Sequence, residues 1–292
     1  MALKEQLRGT GVAIITPFQP DLTVDYDALG KVIDFIIKGG VEYIVSLGTT
    51  GESPVVSREE KKKIVQTTYE LVAGRVPVVV GIGGNNTAEL VGDLKNFSLQ
   101  KATAVLSASP YYSKPSQEGL FQHYKALAEA SPKPILLYNV PGRTGRNLTA
   151  STTLRLAKVP NIAGIKEASG DMAQCMEILR DAPADFLVVS GDDALALPQI
   201  ACGMQGVISV AANCFPKDFS DMVRLALKGD FKGAKTVNDR LIAGYELLFA
   251  ENNPAGVKAA LTELKLIGNW LRLPLVPLSA GLHAKLKDYM AK

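Results

Sequence analysis

Several things are scarce in this chain of 292 residues, and each scarcity excludes something. There are three cysteines, Cys175, Cys202 and Cys214, odd in number and without a CxxC pair. That pattern argues against a disulfide framework and predicts buried, reduced thiols. The two histidines, His123 and His283, lie far apart with no cysteine at ligand spacing, so no histidine-based metal site is expected. His123 reads as a surface or packing residue. Neither sign of charge dominates: 32 Lys and Arg against 29 Asp and Glu give a net charge of +3, with the signs interspersed. No basic tail or arginine cluster appears, which argues against a nucleic-acid surface. The N-terminal Met1-Ala2-Leu3-Lys4-Glu5-Gln6 lacks the apolar stretch of a secretory leader. The longest uncharged segment, Ala194 to Pro216, is broken by Pro198, Gln199, Gln205, Ser209 and Asn213, so a buried strand with its flanks explains it better than a membrane span. A soluble, cytoplasmic protein without nucleic-acid or membrane partners is expected.

What is present is a recurrence. Short apolar, β-branched runs occupy Val12 to Thr16, Tyr43 to Leu47, Val78 to Gly81, Ala104 to Ala108, Ile135 to Tyr138, Ile162 to Lys166, Phe186 to Ser190 and Val207 to Val210. Their starts are separated by about 20–35 residues, the room that a strand, a loop and a helix need. Eight such units predict an α/β fold, a (β/α)8 TIM barrel, over residues 1–217. Residues 218–292 read as the eighth barrel helix plus a small C-terminal helical extension, interrupted at Asn252-Asn253-Pro254 and resuming from Val257 to Leu271. Ser57-Arg58-Glu59-Glu60 is a capping-box pattern, Asn86-Thr87-Ala88-Glu89 a weaker one, and Gly74 stands where a helix would stop. A chain this long buries about 75% of the surface its unfolded form exposes and needs no metal or disulfide staple.

In such a barrel the reacting groups sit at the C-terminal ends of strands and in the loops that follow. Lys166 ends an apolar run. Taken alone, a strand-end lysine snorkels its charge to solvent or to a carboxylate. Held in an apolar pocket, it is pushed toward the neutral amine, a nucleophile able to form a Schiff base with a carbonyl compound. Tyr138 alternates with Leu136, and Lys166 with Gly164 and Ile162, so both terminal side chains are expected inside the barrel, where a phenol could shuttle protons. Gly48-Thr49-Thr50-Gly51 supplies N–H groups and hydroxyls that can cradle a carboxylate, or is simply a glycine turn. Without GK[ST] it is no P-loop, and Gly81-Ile82-Gly83-Gly84 lacks the spacing of a dinucleotide fingerprint. Arg143 follows a Pro-Gly turn, where a guanidinium can meet a carboxylate in bidentate fashion.

Together, Gly48-Thr49-Thr50-Gly51-Glu52, Tyr138-Asn139-Val140-Pro141-x-Arg143-Thr144-Gly145 and Gly164-Ile165-Lys166-Glu167 resemble the dihydrodipicolinate synthase family, class I aldolases related to N-acetylneuraminate lyase. The resemblance runs from about Gly11 to the C-terminal helices. It implies a lyase that condenses pyruvate with L-aspartate 4-semialdehyde in lysine and diaminopimelate biosynthesis. Lys166 would be the Schiff-base lysine and Tyr138 the proton-transfer tyrosine. Thr49 would link Tyr138 to Tyr112, which in the family reaches across from a neighbouring subunit of a homotetramer, a dimer of dimers. Thr50 would bind the pyruvate carboxylate and Arg143 that of the aldehyde, while Gly191 and Ile208 would line the pocket through backbone groups. No cofactor beyond the covalent pyruvate imine, and no metal, is implied. The alternative is a sibling sugar-acid aldolase, which Arg143 disfavours because a polyol aldehyde carries no second carboxylate. A barrel that has lost catalysis is disfavoured by the joint presence of Lys166, Tyr138, Thr49 and Arg143.

The sequence departs from the family pattern at one place. Family members strongly inhibited by lysine carry a histidine or another non-basic residue on the helix after Glu52, where this chain has Lys61, with Arg58 one turn earlier. Ser53, Asn85, Glu89 and Tyr111 match other positions of that regulatory cleft, although Glu89 also fits a capping role. A like-charged Lys61 should repel bound lysine, so weak or absent feedback inhibition is expected.

Overall fold

The structure, a computed structural model, describes residues 3–291. Eight parallel strands close into a barrel in chain order: β1 (Gly9–Ala13), β2 (Tyr43–Ser46), β3 (Val78–Gly81), β4 (Ala104–Ala108), β5 (Ile135–Asn139), β6 (Ile162–Glu167), β7 (Leu187–Ser190) and β8 (Gly206–Ser209). The (β/α)8 barrel expected from the recurrence is therefore present. Strand closure depends on a glycine: Gly206 pairs with Gly9, at φ 151°, and a Cβ there would lie 2.0 Å from the Gly9 carbonyl oxygen. Only a residue without a side chain lets the first and last strands meet.

The first strand differs from its expected span, Val12 to Thr16. The pairing of β1 with β8 begins at Gly9 and ends at Val12. Beyond Ala13 the apolar run continues as a buried segment: the Ile14 amide donates to the Val45 carbonyl and the Ile15 amide to Asn213 Oδ1. A second difference lies in β6. The register with β5 slips after Ile135, which faces Ile162, so that Leu136 faces Gly164. This bulge turns Ile162 outward into the core between barrel and helices, while Gly164 faces inward against Leu136. Lys166 thus alternates with Gly164 but not, as expected, with Ile162.

Apolar side chains form two bodies. An inner cluster, including Val45, Val79, Leu106, Leu136, Tyr138, Val189 and Ile208, fills the barrel. A larger one lies between the strands and the surrounding helices. The helix Arg58–Val72 opens with the expected capping box, Ser57 and Glu60 each bonding the other's backbone amide. Asn86 caps the helix Thr87–Asn96 by accepting from Ala88 N and Glu89 N. The helix Pro216–Leu227 packs on β1 and β8, and Phe231–Phe249, Ala255–Glu263 and Ala280–Met290 follow. The stretch expected to be helical as far as Leu271 stops at Glu263, and Lys265 turns at φ 58°. Cys175 and Cys214 are buried, but Cys202, expected to be buried too, is exposed where the helix Ala196–Ala201 ends. His123 is buried and bonded through Nδ1 to the Thr87 hydroxyl. Among the described residues no helix is long and apolar enough to cross a membrane.

Candidate active site

Tyr138 and Lys166 are direct neighbours across the β5–β6 ladder. Both point into the barrel mouth, with the Lys166 Nζ 4.3 Å from the centroid of the Tyr138 ring. Lys166 is 4% exposed and Tyr138 7%, so an amine and a phenol are held against each other largely out of water. Gly191, after β7, makes room for them. A Cβ there would lie 2.7 Å from Ala168 Cβ and 2.8 Å from Lys166 Cε. Real Cβ atoms do not approach so closely, so the lysine stem occupies the place of a side chain at 191.

Opposite stands the turn after β2. Residues Thr49–Gly51 form one turn of 3-10 helix, tied to the segment after β1 by the Thr16 hydroxyl donating to the Gly51 carbonyl at 2.7 Å. Thr50 is buried, and its Oγ1 accepts from Asn253 Nδ2 at 3.0 Å. Arg143 lies in the short helix Pro141–Thr144 after β5, and its guanidinium donates to Asn252 Oδ1 at 2.9 Å. Thr49, Thr50, Tyr138, Arg143, Lys166 and Gly191 all line one cavity of about 320 Å³, together with Asp192, Phe249, Asn252 and Asn253. A cavity of this size, with an amine, a phenol, hydroxyls and a guanidinium converging on it, can hold a small keto acid and its reaction partner.

Two expected site residues are not brought into this cavity. Ile208 is wholly buried in the inner cluster of the barrel and does not line the cavity. Tyr112 is 91% exposed, sits in the left-handed region at φ 66° and does not line its own chain's cavity. Of the regulatory candidates, Ser53, Lys61 and Tyr111 line a second cavity of about 420 Å³, which shares Thr49, Tyr138 and Arg143 with the first. Asn85 supports it by accepting from the Tyr111 amide at 2.8 Å. Arg58 and Glu89 do not line it; Arg58 is paired with Asp93, and Glu89 is exposed.

The support around these groups was not among the expectations. Glu167 is fully buried behind Lys166, where its carboxylate accepts from Asn139 Nδ2 at 3.0 Å, Gln174 Nε2 at 3.1 Å and the Ser169 amide at 2.7 Å. It thereby ties the ends of β5 and β6 together. Asp193, in the loop after β7, is buried and accepts from the Ala211 amide at 2.8 Å. Burial pushes its carboxyl up to about 6. Behind the threonine turn, Glu52 forms a buried ion pair with Lys258 from the C-terminal segment. Asn252, Asn253 and Lys258 carry no motif, and the only cue was the helix break at Asn252-Asn253-Pro254.

Comparison with known proteins gives a consistent picture. Residues 6–292 match the family model described as the dihydrodipicolinate synthetase family. The chain is 52% identical over 276 residues to the 4-hydroxy-tetrahydrodipicolinate synthase of Phocaeicola vulgatus, covering 94% of this chain and 93% of that one. It is 49% identical over 285 residues to the enzyme of the same name from Parabacteroides distasonis, covering 97% and 96%. Among solved structures, a dihydrodipicolinate synthase from Aquifex aeolicus superposes with a TM-score of 0.94 at 39% identity, over 97% of each chain. A chloride-inhibited dihydrodipicolinate synthase from Acinetobacter baumannii, complexed with pyruvate, superposes with a TM-score of 0.95 at 41% identity, over 98% of each.

Proposed function

The chain belongs to the dihydrodipicolinate synthetase family, and from that membership we propose a reaction route through its own residues. It is a lyase that condenses pyruvate with L-aspartate 4-semialdehyde, the step that leads toward diaminopimelate and lysine. The Lys166 amine adds to the ketone of pyruvate, and the carbinolamine loses water to give an iminium. The iminium acidifies the methyl protons, and loss of one gives an enamine. The enamine carbon then attacks the aldehyde, and the amino group of the second substrate displaces Lys166, closing the six-membered ring and freeing the enzyme. Tyr138 is the group placed to move protons during addition and dehydration. Thr50 and the N–H groups of its turn receive the pyruvate carboxylate, and Arg143 the carboxylate of the aldehyde. No cofactor is needed beyond the imine on Lys166.

The observation that carries this reading is the pairing of Lys166 with Tyr138, in register and 4.3 Å from amine to ring, in one cavity with Thr50 and Arg143. Pyruvate followed by borohydride should leave a stable adduct on Lys166, located by mass spectrometry. An adduct on another lysine, or none, removes the assignment. The sugar-acid alternative is tested with N-acetylmannosamine as acceptor, which should not be used. Two finer points belong to the same proposal. Tyr112, 91% exposed, is read as completing a neighbouring subunit's site in a homotetramer, with Thr49 linking it to Tyr138; a cytoplasmic location goes with the pathway. Among the described residues the second cavity has Lys61 and Arg143 as its only charged lining residues, both cations. Lysine should bind there weakly, and strong inhibition by submillimolar lysine would contradict that.

A further inference from the structure

Arg143 is an exposed cation that meets no carboxylate: among the described residues none lies within 4.0 Å of it. Its partner is the neutral side chain of Asn252, 109 positions away, in the corner between the helices Phe231–Phe249 and Ala255–Glu263. That side chain is itself fixed. Asn252 Oδ1 also accepts from the Asn253 amide at 2.9 Å, and the Asn252 amide donates to the Phe249 carbonyl at 2.9 Å. Two donors converge on Oδ1, which settles which end of the side-chain amide faces Arg143. The backbone at Asn252 is left-handed, φ 76°, a conformation that asparagine and aspartate tolerate better than other residues with a Cβ.

We propose that Asn252 is a positioning residue that makes Arg143 a receptor for a carboxylate-bearing aldehyde, and so sets selectivity for the second substrate. A guanidinium has five donors, and one is engaged by Asn252, leaving enough for a bidentate contact. A long arginine that swings freely must give up rotamer freedom when it binds; one already held loses less. The neutrality of the partner matters as much as the bond. An aspartate at 252 would hold Arg143 equally well but would neutralise it and compete with the incoming carboxylate. Asn252 supplies an acceptor and leaves the positive charge for the substrate.

The inference rests on the assignment of Arg143 above, and two substitutions test it. Asn252→Gly removes the side chain without penalty in the left-handed backbone; Asn252→Asp keeps the backbone and the acceptor but adds a charge. For Asn252→Gly, KM for the semialdehyde should rise about fivefold, the equivalent of one orienting hydrogen bond, with KM for pyruvate within about twofold of the wild type. Asn252→Asp should raise KM for the semialdehyde further, although its hydrogen bond is intact, and borohydride trapping of pyruvate on Lys166 should be unchanged in both. A purely structural role would make Asn252→Asp behave as the wild type. The inference is overturned if it does so, if neither variant changes KM for the aldehyde, or if KM for pyruvate rises in parallel. Failure to trap pyruvate in the wild type overturns the assignment of the site and this inference with it. Trapping with unaltered aldehyde kinetics overturns the inference alone.

Discussion

Replacing Lys258 by methionine should unfold this barrel earlier by an amount that can be worked from the structure. Glu52 and Lys258 have side chains with no exposed surface, and they pair directly. Lys258 Nζ also donates to the Trp270 carbonyl at 2.9 Å and lies 4.1 Å from the centroid of the Phe18 ring. The other Glu52 oxygen accepts from the Arg272 amide at 3.2 Å. Glu52 directly follows the turn that carries Thr49 and Thr50 and sits at φ 54°, so the pair anchors that turn to the C-terminal segment. Lys258→Met leaves a carboxylate buried without its cation, and breaking a buried pair in this way costs about 3–5 kcal/mol. With an unfolding entropy of about 2.1 cal/mol/K per residue over 292 residues, the melting temperature should fall by about 5–8 °C.

The direction of the Lys258 shift sharpens the experiment. Burial lowers its pKa from 10.5 to about 8, outweighing the attraction of Glu52. For Lys258, leaving water therefore costs more than the contact with Glu52 returns, and the pair is better read as a device of geometry than as a source of stability. Glu52→Gln combined with Lys258→Met should then recover most of the lost melting temperature. The sign with pH follows too. Between about 8 and 10.5 the unfolded chain holds a proton that the folded lysine has shed, so this group makes the fold more stable as pH rises through that window. Calorimetry at fixed protein concentration, which holds any self-association constant, reads all three effects. A Lys258→Met variant melting with the wild type, or a double variant as unstable as the single, would refute the reasoning.

Tyr138→Phe should lower kcat by about 10²–10⁴-fold, the usual worth of a proton-transfer group, with much less change in KM for pyruvate, measured in steady state. Gly191→Ala should slow pyruvate trapping by about 100-fold, because the added methyl displaces the Lys166 stem; the melting curve should move far less than the rate. Burial pushes the His123 imidazole down to about 4, so as pH falls from about 6.5 the unfolded chain takes up a proton that the folded one refuses, and up to about 3 kcal/mol of stability is lost. His123→Gln should flatten that acid limb in pH-dependent melting; Asp193, raised to about 6, works in the opposite sense below that pH, so Asp193→Asn should steepen it.

The pairing of Tyr138 with Lys166 was legible from sequence for a physical reason. In a barrel, chain order fixes which strands are neighbours, and alternation fixes which strand-end side chains face inward. Strand order and alternation alone therefore set Tyr138 and Lys166 side by side, and the ladder places them so. The limits follow from the same rules. Alternation counts residues, so one bulge at the start of β6 moved Ile162 to the other face while leaving Gly164 and Lys166 in place. Hydrophobicity reports burial rather than strand pairing, so the run from Val12 to Thr16 was legible as buried but not as two parts, one paired and one looped over Asn213.

What aims the reacting groups was out of reach for a different reason. Thr50 is held by a residue 203 positions away, Arg143 by one 109 away, and Glu52 by Lys258. These partners have no period, cap or spacing that links them to the strand ends. They meet because the chain, having completed the barrel, turns back over its mouth at Asn252-Asn253 and along Lys258 to Arg272. A strand-end lysine such as Lys166 can thus be found by reading one strand, whereas the residue that holds Arg143 sits in a corner that belongs to no strand. The same separation predicts how such a barrel can change: substitutions at the corner alter which aldehyde is accepted while the Schiff base on Lys166 still forms, since nothing in the ladder between Tyr138 and Lys166 depends on Asn252.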